Sequence, residues 1–309
     1  MSVSLGLIVF ALSFLLIFII DKVFFNKNII DQINNRSSHS AVATRSGGIA
    51  IFITIFILSF VNYLAGSTLF DYSILIPLGL LVAIGLYDDV YNIDFKLKFI
   101  FQIIAAKIII DTGLLIDNFH GLFGIFEINR AVAQLLTIFI ILSIINAINF
   151  IDGIDGLAIS IFSIFIISFE FFSIELNQLS NFSIISILAI IPMYYFNLKK
   201  NRKVFLGDSG SHLLGGIISI YVVFILSQNY LINPKYDLHK IIFVFSILSY
   251  PVIDIIRIVL LRLSKNQSPF KADKEHIHHI ILKKTNNHLI TTLIIISFSL
   301  ILMIITQFF

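Results

Sequence analysis

Asn146-Ala-Ile-Asn149-Phe-Ile-Asp152-Gly-Ile-Asp155-Gly-Leu157 stands between two long apolar runs. Its polar residues recur at every third position, so on a helix or 3₁₀ end they form a slowly drifting line of oxygens along one side. Gly153 and Gly156 allow that line to break into a tight turn. An Asp at the centre of a membrane helix costs roughly 2.5–3.5 kcal/mol even on the gentler insertion scale, so the cluster should face an aqueous cavity or the membrane edge. Capping of the next helix accounts for Asp155 and Asn146, and leaves Asn149 and Asp152 without a structural reason.

The flanking runs set the fold class. The chain has 309 residues, 58% hydrophobic and 13% charged, with a mean hydropathy of +1.00, well outside the range of soluble domains. It reads as an all-α polytopic integral membrane protein of one domain, 1–309. Since about 20 apolar residues cross the hydrocarbon, ten spans are expected, near 3–24, 47–65, 72–88, 97–114, 130–148, 157–175, 182–198, 209–228, 240–262 and 289–308. The first run is followed by Asp21 and Lys22 and lacks a basic leader, so it is expected to be a retained span rather than a signal peptide. The absence of cysteine excludes disulfides and a thiolate metal site. A net charge of +3 is small, and no nucleic-acid partner is expected.

Basic residues orient the spans. With the amino terminus outside, the inner loops hold sixteen of the 21 Lys and Arg, among them Lys22, Arg36, Arg45, Lys98, Lys199 to Lys203, Lys271, Lys274, Lys283 and Lys284. The outer loops hold Arg130, Lys235 and Lys240. Positive charge marks the cytoplasmic side, so both termini are expected outside and every unusual polar cluster inside. Five inner loops can then build one cytoplasm-facing site.

Those clusters carry recognisable chemistry. Asp88-Asp89 closes the third span; adjacent carboxylates repel unless a cation is near, which suits a divalent metal or a general base beside one. Phe205-Leu-Gly-Asp208-Ser-Gly-Ser211 opens the eighth span, where a helix amino end attracts anions and Asp208 suits a hard cation. His276-Ile-His278-His279 lies among lysines and reads better as a phosphate contact than as zinc, because no thiolate accompanies it. Thr44-Arg45-Ser-Gly-Gly48 has the content of an anion loop without the spacing of a Walker A motif. Asp254 and Arg257, three apart in the ninth span, are expected to pair. The inventory fits transfer of a phosphoryl group between a soluble diphosphate donor and a lipid phosphate.

Taken together, the Thr44 loop, Asp88-Asp89 with Lys98 and Gln102, the Asn146 to Leu157 stretch, Phe205 to Ser211 and the His276 motif resemble the polyprenyl-phosphate N-acetylhexosamine-1-phosphate transferase family, in the family's order and over nearly the whole chain. The resemblance implies a bacterial plasma-membrane enzyme that joins a UDP-N-acetylhexosamine to a polyprenyl phosphate such as undecaprenyl phosphate, releasing UMP, with Mg²⁺ or alternatively Mn²⁺ as cofactor. It implies Asn149 and Asp208 as metal ligands, Asp88 and Asp89 beside the lipid phosphate with one as base, and Asp155 as a further catalytic carboxylate. Substrate contacts would come from Arg45, Lys98, Asn146, Asp152, Phe205 as a uracil platform, His276, His278 and His279. A homodimer is compatible with it. Arg36-Ser-Ser-His39 and the short His motif look closer to the O-antigen or capsule-initiating branch than to the phospho-N-acetylmuramoyl-pentapeptide transferases. Two other classes compete. An intramembrane aspartyl protease matches Tyr87-Asp88 and Gly207-Asp208 but explains neither the Asn146 stretch nor the His motif, and a transporter would place its polar groups at mid-membrane.

Overall fold

The computed structural model describes residues 3–31, 42–173, 178–227, 239–266 and 275–308. Arg36 to His39, Lys235, Lys271 and Lys274 lie outside the described residues. Helices α1 (Val3–Asn26), α2 (Gly47–Leu64), α3 (Leu75–Tyr91), α4 (Phe95–Asp111), α5 (Arg130–Ile151), α6 (Leu157–Phe172), α7 (Ser180–Asn197), α8 (Gly207–Ser227), α9 (His239–Ile247), α10 (Ser249–Ser264), α11 (Ile277–Thr285) and α12 (His288–Phe308) follow in order. Two short strands, β1 (Ala43–Thr44) and β2 (Lys203–Val204), pair in parallel.

Every residue of α8 from Ser209 to Leu226 is buried. A helix apolar on all sides belongs inside, and α8 is packed by α3, α5 and α2. Terminal helices α1 and α12 do the opposite and turn residues such as Leu7, Phe18, Ile301 and Ile305 outward. Local signals set the helix ends that matter. Asn92, at φ 50°, stops α3, and the Asp94 carboxylate accepts the Lys96 N–H at 3.3 Å to start α4. The resulting tight connection places Asp88 in the last turn of α3 opposite Lys98 in the first turn of α4.

Glycine sets how closely these helices approach. A Cβ built on Gly48 would lie 2.0 Å from the Gly210 nitrogen, and one on Gly85 would lie 2.5 Å from both the Asp208 oxygen and the Ser209 nitrogen. Backbone therefore meets backbone where α2, α3 and the start of α8 cross.

All ten expected segments fall on helices. Among the described residues, seven helical segments are long and apolar enough to cross a membrane, or eight if the bent pair α9–α10 is one span. Helix α6 is shorter, and α4, with Lys96, Lys98, Lys107 and Asp111, does not meet the same test. The expected single span at 240–262 is instead broken, with α9 and α10 at 73°. Pro251 stands in the first turn of α10; it has no N–H to donate to the carbonyl four residues back, so a continuous helix through Ile247 would lack that bond. The β1–β2 pair and α11 were read from the sequence only as loops.

Gly85→Ala should lower stability by about 1–3 kcal/mol, because the backbone it meets cannot give way. Gly79→Ala, whose added carbon meets only the tip of the Phe52 ring at 3.1 Å, should be near neutral. Unfolding midpoints of the two variants in detergent check this.

Candidate active site

Lys98 joins two carboxylates that stand far apart in the sequence. Its Nζ donates to Asp88 Oδ2 at 2.5 Å and to Asp208 Oδ2 at 2.6 Å. The other Asp88 oxygen accepts the Ile93 N–H at 2.8 Å, which fixes the side chain. Asn149 comes in from α5, where its Nδ2 donates to Ser211 Oγ at 2.8 Å and leaves the amide oxygen uncommitted among the described residues. Two carboxylates already converging on one cationic nitrogen, with the Asn149 amide tied to Ser211 three residues along α8 from Asp208, offer an all-oxygen donor set. That set fits a hard divalent cation such as Mg²⁺.

Asp89 does something different from Asp88, although the resemblance implies both beside the lipid phosphate. Its side chain is 0% exposed, and its oxygens accept the N–H groups of Asp208 at 2.9 Å and Ser209 at 3.1 Å. Asp89 thus occupies the first free amides of α8, where negative charge is favoured. The anion that the amino end of α8 is expected to attract is, at these two amides, the protein's own Asp89. Gly207 makes room: it sits at φ +71°, and a Cβ there would lie 2.5 Å from Asp89 Oδ2.

Arg45 backs this cap from the β1 side. Its Nη1 lies 3.7 Å from Asp89 Oδ1, and its Nη2 donates to Asp31 Oδ1 at 2.6 Å. Burial works against the Arg45 charge, but Asp31 and Asp89 outweigh it and hold the guanidinium pKa above its ordinary value. The β1–β2 ladder continues into both motifs. Phe205 N–H donates to Thr44 O, and Gly47 and Gly48 N–H donate to Phe205 O and Leu206 O. The half-buried Phe205 is placed by that ladder.

A hydrogen-bonded chain runs beneath Asp208. His212 Nδ1 lies 2.5 Å from the Asp208 carbonyl oxygen, His212 Nε2 lies 3.0 Å from Gln102 Nε2, and Asn146 Nδ2 donates to Gln102 Oε1 at 2.9 Å. Its polarity is forced. A carbonyl only accepts, so Nδ1 carries the proton, Nε2 accepts, and the Gln102 amide nitrogen donates. Asn146 therefore reaches the site only through Gln102 and His212.

The remaining acids of the opening stretch diverge. Asp155 pairs with Lys203, its N–H donates to His288 Nδ1 at 3.2 Å, and its carbonyl accepts from Thr292 Oγ1 at 3.1 Å. It ties the α5–α6 turn to β2 and α12, and no ion pair or hydrogen bond links it to Asp88 or Asp208. Asp152 ends α5. Burial first, then the charges of Asp208, Asp89 and Asp155, push its carboxyl well above the usual range.

That same turn meets the His motif. A Cβ on Gly153 would lie 3.5 Å from His278 Nε2 and 3.6 Å from His279 Cε1. Asp254 accepts from His276 Nδ1 at 2.6 Å and from the Ile277 N–H at 2.8 Å, besides its expected pair with Arg257 at 3.3 Å. His278 is fully buried, with Nδ1 2.7 Å from Tyr250 Oη and Nε2 without a partner among the described residues. Burial first, then His279 and His276, push its pKa down to about 3, so it works as a neutral ring. Asp254, His276 and His278 offer ligand atoms within 4.8 Å of one another, although the Nδ1 of His276 is taken up by Asp254.

The sequence pattern of glycosyl transferase family 4 matches residues 71–226, the segment that carries Asp88, Lys98, Asn149 and Asp208. The chain belongs to this family. It is 33% identical over 266 residues to the undecaprenyl-phosphate alpha-N-acetylglucosaminyl 1-phosphate transferase of Pasteurella multocida (strain Pm70), covering 82% of this chain and 71% of that protein. The same-named proteins of Salmonella typhi, 30% identical over 89% of this chain and 75% of theirs, and of Escherichia coli (strain K12), 30% identical over 92% and 77%, are likewise similar. Within this glycosyl transferase site, sequence reasoning missed His212, and it quoted Ser211 in the Phe205 motif without giving it a role. A lone His four residues after Asp208 in an apolar helix was the available signal for the first.

Asp152 gives a pH test. Its folded pKa lies above the unfolded value, so wild type loses stability as the carboxyl ionises with rising pH. Asp152→Asn avoids that loss, and its unfolding midpoint relative to wild type, measured in EDTA, should rise from pH 5 to pH 8.

Proposed function

We propose that the chain transfers an N-acetylhexosamine 1-phosphate, of the N-acetylglucosamine type, from a UDP-sugar to undecaprenyl phosphate. The products are undecaprenyl-diphosphate-sugar and UMP, in the first membrane step of a cell-surface polysaccharide. The observation that carries this reading is the convergence of Asp88 and Asp208 on one cationic point, in a chain whose relatives are named for this transfer. With ten spans, the sixteen-to-three bias of basic residues supports both termini outside and the site on the cytoplasmic face of a bacterial plasma membrane.

In this mechanism Asp88, Asp208 and the Asn149 amide oxygen would hold Mg²⁺, which when bound would supply neutralisation of charge on the donor diphosphate. Asp88, unlike Asp89, has no helix amides to satisfy and so turns to the cation, while the lipid phosphate loses its second proton to water, as a monoester phosphate does at about pH 6. The freed lipid oxygen attacks the sugar-bearing phosphorus in line, and the bond to the uridine-bearing phosphate breaks to release UMP. Lys98, displaced from its bridge, neutralises the diphosphate. His278, as a neutral ring with an open Nε2 beside Gly153, offers one hydrogen bond to the donor. Asp89 and the Gln102–His212 chain touch no substrate; they hold the first turn of α8 where Asp208 must be.

Detergent-purified protein with Mg²⁺, undecaprenyl phosphate and a panel of UDP-N-acetylsugars should release UMP, and absence of UMP with every sugar contradicts the reading. Asp88→Asn and Asp208→Asn should each lower turnover by about 10²–10³-fold or more with the unfolding midpoint little changed. Asp89→Asn should lower turnover and the midpoint together, because an amide cannot accept both α8 N–H groups.

A further inference from the structure

A lipid-facing seam between α1 and α7 carries three cations at the end of the bundle that holds the active site. Phe14, Phe18, Lys22 and Phe25 follow one another at steps of four, four and three residues and share one face of α1. Phe14 packs on Tyr195 and Phe196 of α7, with ring centres 5.8 and 5.0 Å apart. Phe14, Phe18, Phe25 and Tyr195 are 39–58% exposed, so this aromatic surface is open to the membrane. Each cation rests on it. Lys22 Nζ lies 4.2 Å above the Phe18 ring, Lys199 Nζ 4.3 and 4.4 Å from the Tyr195 and Phe196 rings, and the Arg202 guanidinium 4.3 Å from Phe25.

Charge on the seam is unbalanced. Asp21 lies 3.1 Å from Arg202 and also accepts from Thr44 Oγ1 at 2.7 Å. Lys22 and Lys199 pair with no carboxylate among the described residues. The seam's level in the membrane follows from the same contacts, because Thr44 O accepts the N–H of Phe205, three residues before Asp208. Cations at a membrane boundary, with their stems laid on apolar surface, attract anionic headgroups. A zwitterionic lipid brings its own cation and gains little there, whereas an anionic one places its phosphate on the cations and its acyl chains over Phe14, Phe18 and Tyr195.

We propose that the α1–α7 seam is a binding site for an anionic phospholipid, separate from the site that binds the acceptor lipid. Native mass spectrometry of the detergent-purified full chain, titrated with phosphatidylglycerol, phosphatidylcholine or undecaprenyl phosphate, tests it. Wild type should retain phosphatidylglycerol in preference to phosphatidylcholine, and Lys22→Gln/Lys199→Gln should weaken that retention by roughly fivefold per cation removed. Lys107→Gln, at a lysine paired with Asp111, should leave it unchanged. Turnover of the double variant should stay within about twofold of wild type, which shows that it folds. Equal retention of phosphatidylcholine, or unchanged phosphatidylglycerol binding in the double variant, overturns the proposal. Undecaprenyl phosphate binding that depends on the same two lysines overturns it too, by giving the seam to the acceptor. None of these lipid readouts depends on which sugar the enzyme uses, or on whether it turns over UDP-sugars at all.

Discussion

A buried carboxylate on the open amides of a helix fixes the rest of this site. Asp89 binds the first N–H groups of α8 from the last turn of α3, inside a crossing so tight that Gly48, Gly85, Gly207 and Gly210 cannot carry side chains without clashes. An anion buried this deeply is tolerable only when hydrogen-bonded and near a countercharge. The two amides supply the hydrogen bonds, and Arg45, itself held by Asp31, supplies the charge. Once α8 is pinned in this way, Asp208 has one place to point, toward Asp88 and Lys98.

Beneath that pin, Asn146, Gln102 and His212 form a support of fixed polarity that ends on the Asp208 carbonyl. On the other flank, the α5–α6 turn hands the His motif to the site through Gly153, while Asp155 braces the turn against Lys203, His288 and Thr292. Of the four polar residues in the opening stretch, Asn149 reaches α8 directly through Ser211, and Asn146 reaches it through Gln102 and His212. Their three-residue spacing holds for Asn146 and Asn149 within α5; the helix ends at Ile151, and the turn sends Asp152 and Asp155 on separate paths.

Helix placement was legible in the sequence because the length of each apolar run carries it. The Pro251 break was legible in principle, since a missing N–H ends a ladder wherever it falls. The division of labour between Asp88 and Asp89 was not: two adjacent carboxylates look alike until the amides of α8, more than a hundred residues away in sequence, choose one of them. His212 was visible as the one histidine of a mostly apolar helix, but its partner Gln102 sits on α4, and no spacing rule connects the two. The occupant of α8's first amides was hidden for a related reason. Sequence shows the free amides but not that a carboxylate of the same chain has taken them.

The central claim is that Asp88 and Asp208 form the cation site while Asp89 only holds the frame. Electron paramagnetic resonance of Mn²⁺ titrated into the purified protein tests it most directly. The account predicts one bound Mn²⁺ per chain, lost in Asp88→Asn and Asp208→Asn, and retained by Asp89→Asn at temperatures where that variant is folded. Binding that survives Asp208→Asn, or that folded Asp89→Asn cannot support, contradicts it.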